Sequence, residues 1–239
     1  MPEARRIGAP VRPLEAPVAA ILFDLDGTLI DTRALYMECY RIAVEPYLGR
    51  GMSREEIQRM KPRSEIAFLR AVAGEAALEA CMADFYVHYE RLYASHFGGV
   101  YDGVQAVLGE LRERGYPLGI VTGKSRRSWA ATLAREELGD FDVLVFEDDV
   151  RDPKPHPEGI HAAAEALGLG AHATLYVGDT MGDVQAAVEA GAAMAAVAWS
   201  RPRAEAASFA ERSRAAGAVA VLDDIRELLE LVGEPVGLP

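Results

Sequence analysis

Lysine is nearly missing from this sequence. Of 25 lysines and arginines, only Lys61, Lys124 and Lys154 are lysine, so arginine carries almost all the positive charge. The scarcity marks the three as candidates for tasks the forked guanidinium performs poorly, such as setting a compact ammonium beside a small anion. Cysteine is scarce too. Cys39 and Cys81 fall in helix-like segments without metal-ligand spacing, which excludes a disulfide framework and predicts two reduced core thiols. Positive charge is outweighed, with a net charge of −12 at pH 7, and this argues against a nucleic-acid partner, which requires a basic face. A phosphorylated ligand stays compatible, because a few local cations and a metal reverse the field inside one cleft. No apolar run approaches the ~20 residues that span a bilayer. Arg5 and Arg6 are followed by Pro10 and Pro13 rather than by a signal-like apolar stretch, so a cytoplasmic protein with no membrane partner is expected. Internal repeats and low-complexity segments are absent.

What is present is apolar. Half of the 239 residues are hydrophobic, enough for one large domain or a core with a modest second one. Val18 to Phe23 is an unbroken apolar run that stops at Asp24, Asp26 and Gly27, the pattern of a strand buried on both faces. Residues two apart on a strand point the same way. Both carboxylates are therefore expected to leave the strand end together, where they repel each other unless a cation or a proton intervenes. Residues 33–97 show no buried-strand signal. Helix-period spacing runs through 33–48, 53–60, 64–73 and 75–95, with Ser53 and Glu56 forming a capping box. From Tyr101 onward, helices at 102–114, 125–137, 157–167, 184–190, 203–215 and 224–231 alternate with strands at 117–122, 143–146, 174–177, 193–199 and 218–222.

This alternation predicts right-handed βαβ units. The fold class is α/β: a Rossmann-like, doubly wound parallel sheet with a helical domain inserted after the first strand. The expected division is a tail over 1–16, a core over 17–32 and 100–232, the helical insertion over 33–99, and a second tail over 233–239.

Four strand ends carry reactive chemistry: Asp24-Leu25-Asp26-Gly27-Thr28, then Thr122-Gly123-Lys124, then Asp152-Pro153-Lys154-Pro155-His156-Pro157, then Gly178-Asp179-Thr180-Met181-Gly182-Asp183. In a parallel sheet the carboxyl ends of all strands share one edge, where ligands bind. Topology thus brings Asp24, Asp26, Thr122, Lys154, Asp179 and Asp183 to one rim. Asp24, Asp26 and Asp179 offer hard oxygens that suit Mg2+ rather than zinc. Magnesium with Lys154 would neutralise a transferring phosphoryl group, and Thr122 with the Gly123 N–H would bind phosphate oxygens at a helix start. In such a set one carboxylate can serve as nucleophile, and a second can protonate the leaving group and then activate water. Several neighbours have plainer readings. Asp183 is also a possible N-cap of the following helix, Asp148, Asp149 and Asp152 read as a solvated charge run, and His156 as a structural loop residue.

These motifs, in this order, resemble the haloacid dehalogenase-like hydrolase superfamily, and within it the phosphoglycolate phosphatase-like group. The likeness covers roughly 18–32 and 100–225, and continues through Val184–Ala192 and Val197-Ala198-Trp199. It implies that the helical insertion is a cap over the site, Asp24 the nucleophile and Asp26 the general acid/base. It further implies Asp24, the Asp26 backbone carbonyl and Asp179 as Mg2+ ligands, Asp183 as support of the metal site, and Lys154 as the cation orienting nucleophile and phosphate. Met60–Glu65 sits roughly where such caps contact substrate, which brings in Lys61 and Arg63. The second motif reads Thr-Gly-Lys where phosphoglycolate phosphatases often have Thr-Asn-Lys. The resemblance implies a magnesium-dependent phosphatase of a small phosphorylated metabolite, as a monomer or homodimer. A β-phosphoglucomutase-like phosphomutase, a phosphonoacetaldehyde hydrolase-like enzyme using Lys61, and an inorganic pyrophosphatase are the alternatives.

Overall fold

The computed structural model describes residue 7 and residues 11–60 and 64–233. Strand β1 (Ala20–Phe23) is buried along its whole length. The reason is its position inside a six-stranded sheet. With β4 (Leu118–Val121), β5 (Val143–Val145), β6 (Thr174–Gly178), β7 (Ala193–Val197) and β8 (Ala220–Leu222), the order is β5-β4-β1-β6-β7-β8 and every neighbouring pair is parallel. Phe23 is in register with Ile120 on one side and Val177 on the other. The chain moves outward from β1 through β4 and β5, then returns to lay β6 against β1. That reversal opens a crevice beyond the carboxyl ends of β1 and β6.

Both faces of the sheet are covered, which is why β1 reads as continuous apolar sequence rather than alternation. Ile21, Phe23, Ile120 and Val177 pack with α6 (Val104–Glu113) and α11 (Glu227–Val232). Leu22, Val121, Tyr176 and Ala196 pack with α8 (Glu158–Ala166), α9 (Met181–Ala190) and α10 (Arg203–Ala215).

Between β1 and β4 the chain builds a helical cap: α1 (Arg33–Ala43), α2 (Glu45–Leu48), α3 (Arg54–Met60), α4 (Glu65–Ala73) and α5 (Leu78–His96). It has its own core, in which Leu35, Phe68, Phe85 and Tyr89 are buried with the free thiols of Cys39 and Cys81. Burial pushes those thiols up to about 12 and about 11, so both stay protonated. The Ser53–Glu56 capping box forms, with Ser53 N donating to Glu56 at 2.8 Å and Glu56 N to Ser53 Oγ at 3.2 Å.

The cap enters and leaves through a ribbon absent from the sequence reading. Strands β2 (Ile30–Asp31) and β3 (Gly99–Val100) pair antiparallel. Each is too short to show a period. Three other expectations shift. Helix α7 spans Arg126–Leu133 rather than 125–137, and Leu138 instead turns into the core. Helix α9 starts at Met181, ahead of its apolar onset at Val184, because Thr180 caps it. Within the segment read as a tail, Val11 and Leu14 pack against the core, and Leu14 N donates to Leu231 O at 2.9 Å. Residues 234–239 lie outside the described residues.

Candidate active site

Asp24 follows β1 directly, its N–H still donating to Val177 O of β6 at 2.8 Å. Its side chain points into the crevice and is only slightly exposed. Lys154 meets it from the loop after β5, where the Lys154–Pro155 peptide is cis. The ammonium lies 2.7 Å from Asp24 Oδ1, 2.6 Å from Asp183 Oδ1, 2.9 Å from the Tyr176 hydroxyl and 3.2 Å from Val121 O. Burial works against the charge on Lys154, but Asp183 and Asp24 outweigh it and hold the ammonium protonated.

Asp179 follows β6 directly, and Asp183 lies in the first turn of α9. Thr180 is the N-cap: its Oγ1 accepts from Asp183 N at 3.1 Å, while Asp183 Oδ2 accepts from Thr180 N at 2.8 Å. Asp183 is thus the reciprocal member of the capping box, not the N-cap considered from sequence. One oxygen from each of Asp24, Asp179 and Asp183 falls within 4.8 Å of the others. Asp179 Oδ2 accepts from Ser200 Oγ at 2.9 Å, whereas Oδ1 is buried without a hydrogen-bond partner.

Lys154 touches two of the three buried carboxylates, Asp24 and Asp183, while Asp179 faces Arg201 at 3.7 Å, which leaves three acids to two cations. Burial pushes Asp24 well above the usual carboxylate range; Lys154 pulls it down and Asp183 and Asp179 push it up again. Burial and Asp183 raise Asp179 to about 6, against the pull of Arg201. Asp183 resists its own burial because Lys154 and Thr180 together hold it below the usual value. An all-oxygen donor set, an unpartnered buried oxygen and excess negative charge fit a hard divalent cation. Gly27 completes the cradle. Its φ is +87°, and a Cβ there would lie 2.6 Å from Asp179 Oδ2, so only glycine lets the loop approach that carboxylate.

Asp26 stands outside this trio. Its Oδ1 accepts from Thr32 Oγ1 at 2.7 Å and from Lys124 Nζ at 3.0 Å. Lys124, one of the three scarce lysines, is fully buried. The signal available was its place in Thr122-Gly123-Lys124 together with the rarity of lysine. Thr122 and Gly123 line the crevice as expected, but they precede the helix start. Ser125 is the N-cap of α7, accepting from Ser128 N.

The crevice encloses about 240 Å³ and is roofed by Tyr36, Met37 and Tyr40 of α1 and by Ser64 and Glu65 at the start of α4. Two glutamates dock cap on core. Glu147 accepts from Ser64 Oγ and from Ile66 N at 3.1 Å and Ala67 N at 3.3 Å, so a core carboxylate caps a cap helix. Glu65 accepts in return from Ser125 Oγ at 2.6 Å and Ser128 Oγ at 3.0 Å of the core. Asp148 and Asp149 are exposed yet more than a solvated run: Asp148 accepts from Arg126 N at 2.7 Å and Asp149 from Phe146 N at 2.9 Å. His156 keeps its loop role, accepting from Glu158 N at 3.3 Å. Lys61 and Arg63 lie outside the described residues.

A family model described as haloacid dehalogenase-like hydrolase matches residues 21–197. The pyrophosphatase PpaX of Bacillus velezensis is 33% identical over 217 residues, covering 90% of this chain and 97% of that protein. A solved structure from Thermotoga maritima, described as a candidate β-phosphoglucomutase, is 28% identical with a TM-score of 0.65, covering 87% of this chain and 96% of its own. CbbY from Rhodobacter sphaeroides, solved in complex with phosphate, has the same fold at 21% identity and a TM-score of 0.71, covering 88% and 96% of the two chains.

Proposed function

The chain belongs to the haloacid dehalogenase-like hydrolase family, and from that membership we propose that it is a magnesium-dependent phosphatase of a small phosphorylated metabolite, working through an aspartyl-phosphate on Asp24. The observation that carries the reading is Lys154 Nζ, 2.7 Å from Asp24 and 2.6 Å from Asp183, within a crevice whose other wall carries Asp26 on a separate cation.

In the first step an Asp24 carboxylate oxygen attacks phosphorus. The new P–O bond forms as the bond to the leaving oxygen breaks, and that oxygen takes a proton from Asp26. In the second, water attacks the same phosphorus and gives its proton to Asp26. The acyl-phosphate P–O bond breaks, Asp24 returns as carboxylate, and inorganic phosphate departs. Lys154 orients Asp24 and offsets charge on the phosphoryl oxygens, while Thr122 and the Gly123 N–H bind those oxygens. Asp24 and Asp179, with Asp183 beside them, would hold Mg2+, which when bound supplies charge neutralisation for the transferring group. Tyr36, Met37 and Tyr40 exclude bulk water and face the remainder of the substrate.

A second reading, hydrolysis of inorganic pyrophosphate, is favoured by the Bacillus velezensis relative, named as a pyrophosphatase and matched over 97% of its length. The chemistry is the same with phosphate as leaving group. Phosphate release measured across small phosphomonoesters, pyrophosphate and phosphonates, with and without magnesium, separates the two. Magnesium-dependent turnover of phosphomonoesters well above pyrophosphate supports the first reading; the reverse order supports the second. Activity on phosphonates alone, or none on any member, excludes both.

A further inference from the structure

Lys124 is the one fully buried lysine among the described residues. Its side chain is wholly covered, so it reaches a substrate only through a neighbour. That neighbour is Asp26. The ammonium touches both carboxylate oxygens, at 3.0 and 3.3 Å, while Thr32 Oγ1 holds Oδ1 at 2.7 Å. The other side of the ammonium is built by the cap. The ring faces of Tyr36 and Tyr89 lie 4.5 and 4.9 Å away. The Tyr36 hydroxyl accepts from Nζ at 2.6 Å and donates to Glu65, which is anchored on Ser125 and Ser128 of the core. Burial opposes the charge on Lys124, but Asp26, Tyr89 and Glu65 outweigh it and keep the ammonium protonated.

We infer that Lys124 is a positioning residue: its ammonium, enclosed by Tyr36 and Tyr89 of the cap, fixes the Asp26 carboxylate in the one orientation from which it exchanges a proton with the leaving oxygen. A carboxylate gripped at both oxygens by one cation and at one of them by a hydroxyl keeps little rotational freedom, and proton transfer depends steeply on such placement. The inference rests on the acid/base role given to Asp26 above.

The test is the dependence of activity on the leaving group. Lys124→Met keeps length and apolar stem but removes the ammonium. Turnover of an alkyl phosphate, whose alkoxide must be protonated as it leaves, is expected to fall about 100-fold or more. Turnover of p-nitrophenyl phosphate, whose phenolate leaves unaided, is expected to fall less than about 10-fold. Tyr36→Phe, which removes only the hydroxyl joining Lys124 to Glu65, should show the same selectivity more weakly. Equal losses on both substrates, or no loss, overturn the inference. If Lys124→Met does not accumulate as folded protein, Tyr36→Phe decides by the same criterion. Asp26→Asn, run in parallel, identifies what has failed. Without selectivity in Asp26→Asn, the acid/base reading falls and the inference with it. With selectivity there but none in Lys124→Met, only the inference falls.

Discussion

Asp24 and Asp26 leave the same strand end two residues apart, yet each pairs with its own lysine: Lys154 at 2.7 Å from Asp24 Oδ1, Lys124 at 3.0 Å from Asp26 Oδ1. The repulsion expected of two neighbouring carboxylates is met by separation rather than by a shared cation. Asp24 turns toward Asp179 and Asp183, while Asp26 turns toward Thr32 and the cap. The division suits the two roles proposed for them, one to attack and one to move protons.

Asp24→Asn keeps the shape of the nucleophile and removes its negative charge. Turnover is expected to fall by about 10³-fold or more. Burial holds the Asp24 carboxyl well above its usual range, so the neutral variant should also melt higher than the wild type in metal-free buffer near pH 7. Steady-state kinetics and thermal melts check the two effects. Near-normal turnover in this variant would remove Asp24 from the mechanism.

The three-carboxylate cluster predicts a metal-dependent stability. A divalent cation that binds only the folded protein raises its melting temperature by mass action. Magnesium titrated into the wild type should raise it progressively, and Asp179→Asn should abolish most of the rise. EDTA should stop phosphate release, and added magnesium should restore it. Full activity in chelator, or an identical magnesium response in Asp179→Asn, would place the metal elsewhere or nowhere.

The strand ends bearing Asp24, Thr122, Lys154 and Asp179 were legible in the sequence because topology alone carries them to one edge, whatever the side-chain details. Lys124 was legible only as a rarity, since nothing in a linear pattern tells which lysine becomes enclosed. Tyr36, Glu65 and Glu147 were not legible as site residues. Their contacts arise when cap docks on core, and the period of one helix carries no information on the face it turns to another unit. The ribbon of Ile30–Asp31 with Gly99–Val100 was hidden for a simpler reason: two residues hold no alternation. The start of helix α9 is legible, because Thr180 followed by Asp183 is a recognisable capping box.

Glu65 is expected to make the stability of the docked fold sensitive to pH. Burial raises its carboxyl to about 7, against Lys124 and the hydrogen bonds from Ser125 and Tyr36, with Asp26 reinforcing the rise. Between its ordinary value of 4.5 and about 7 the folded protein therefore holds a proton that the unfolded chain has released. Stability then decreases as pH rises through that window, and the decrease is complete above it. Glu65→Gln has no proton to lose. The wild type minus variant difference in unfolding free energy should fall by on the order of 2–3 kcal/mol across the window. Urea unfolding at several pH values from 4.5 to 8 measures it. Parallel curves for the two proteins would mean that Glu65 titrates normally.

Lys154 offers the sharpest contrast between charge and shape. Its ammonium is held by Asp24, Asp183, the Tyr176 hydroxyl and Val121 O, all within 3.2 Å. Arginine keeps the charge there but brings a planar head whose forked donors cannot converge on the same point. Lys154→Arg is therefore expected to fold, because Asp24 and Asp183 retain a counter-charge, yet to lose about 10²-fold or more in kcat as the nucleophile is pushed from its place. Lys154→Met removes the counter-charge and leaves a pair of buried carboxylates facing each other. Breaking a buried ion pair in this way costs about 3–5 kcal/mol, and the loss should shrink when magnesium is added. Kinetics of the arginine variant, and melts of both variants with and without magnesium, make the distinction. An arginine variant as active as the wild type would show that any cation suffices at this position, and that the compactness of lysine has no part in the chemistry.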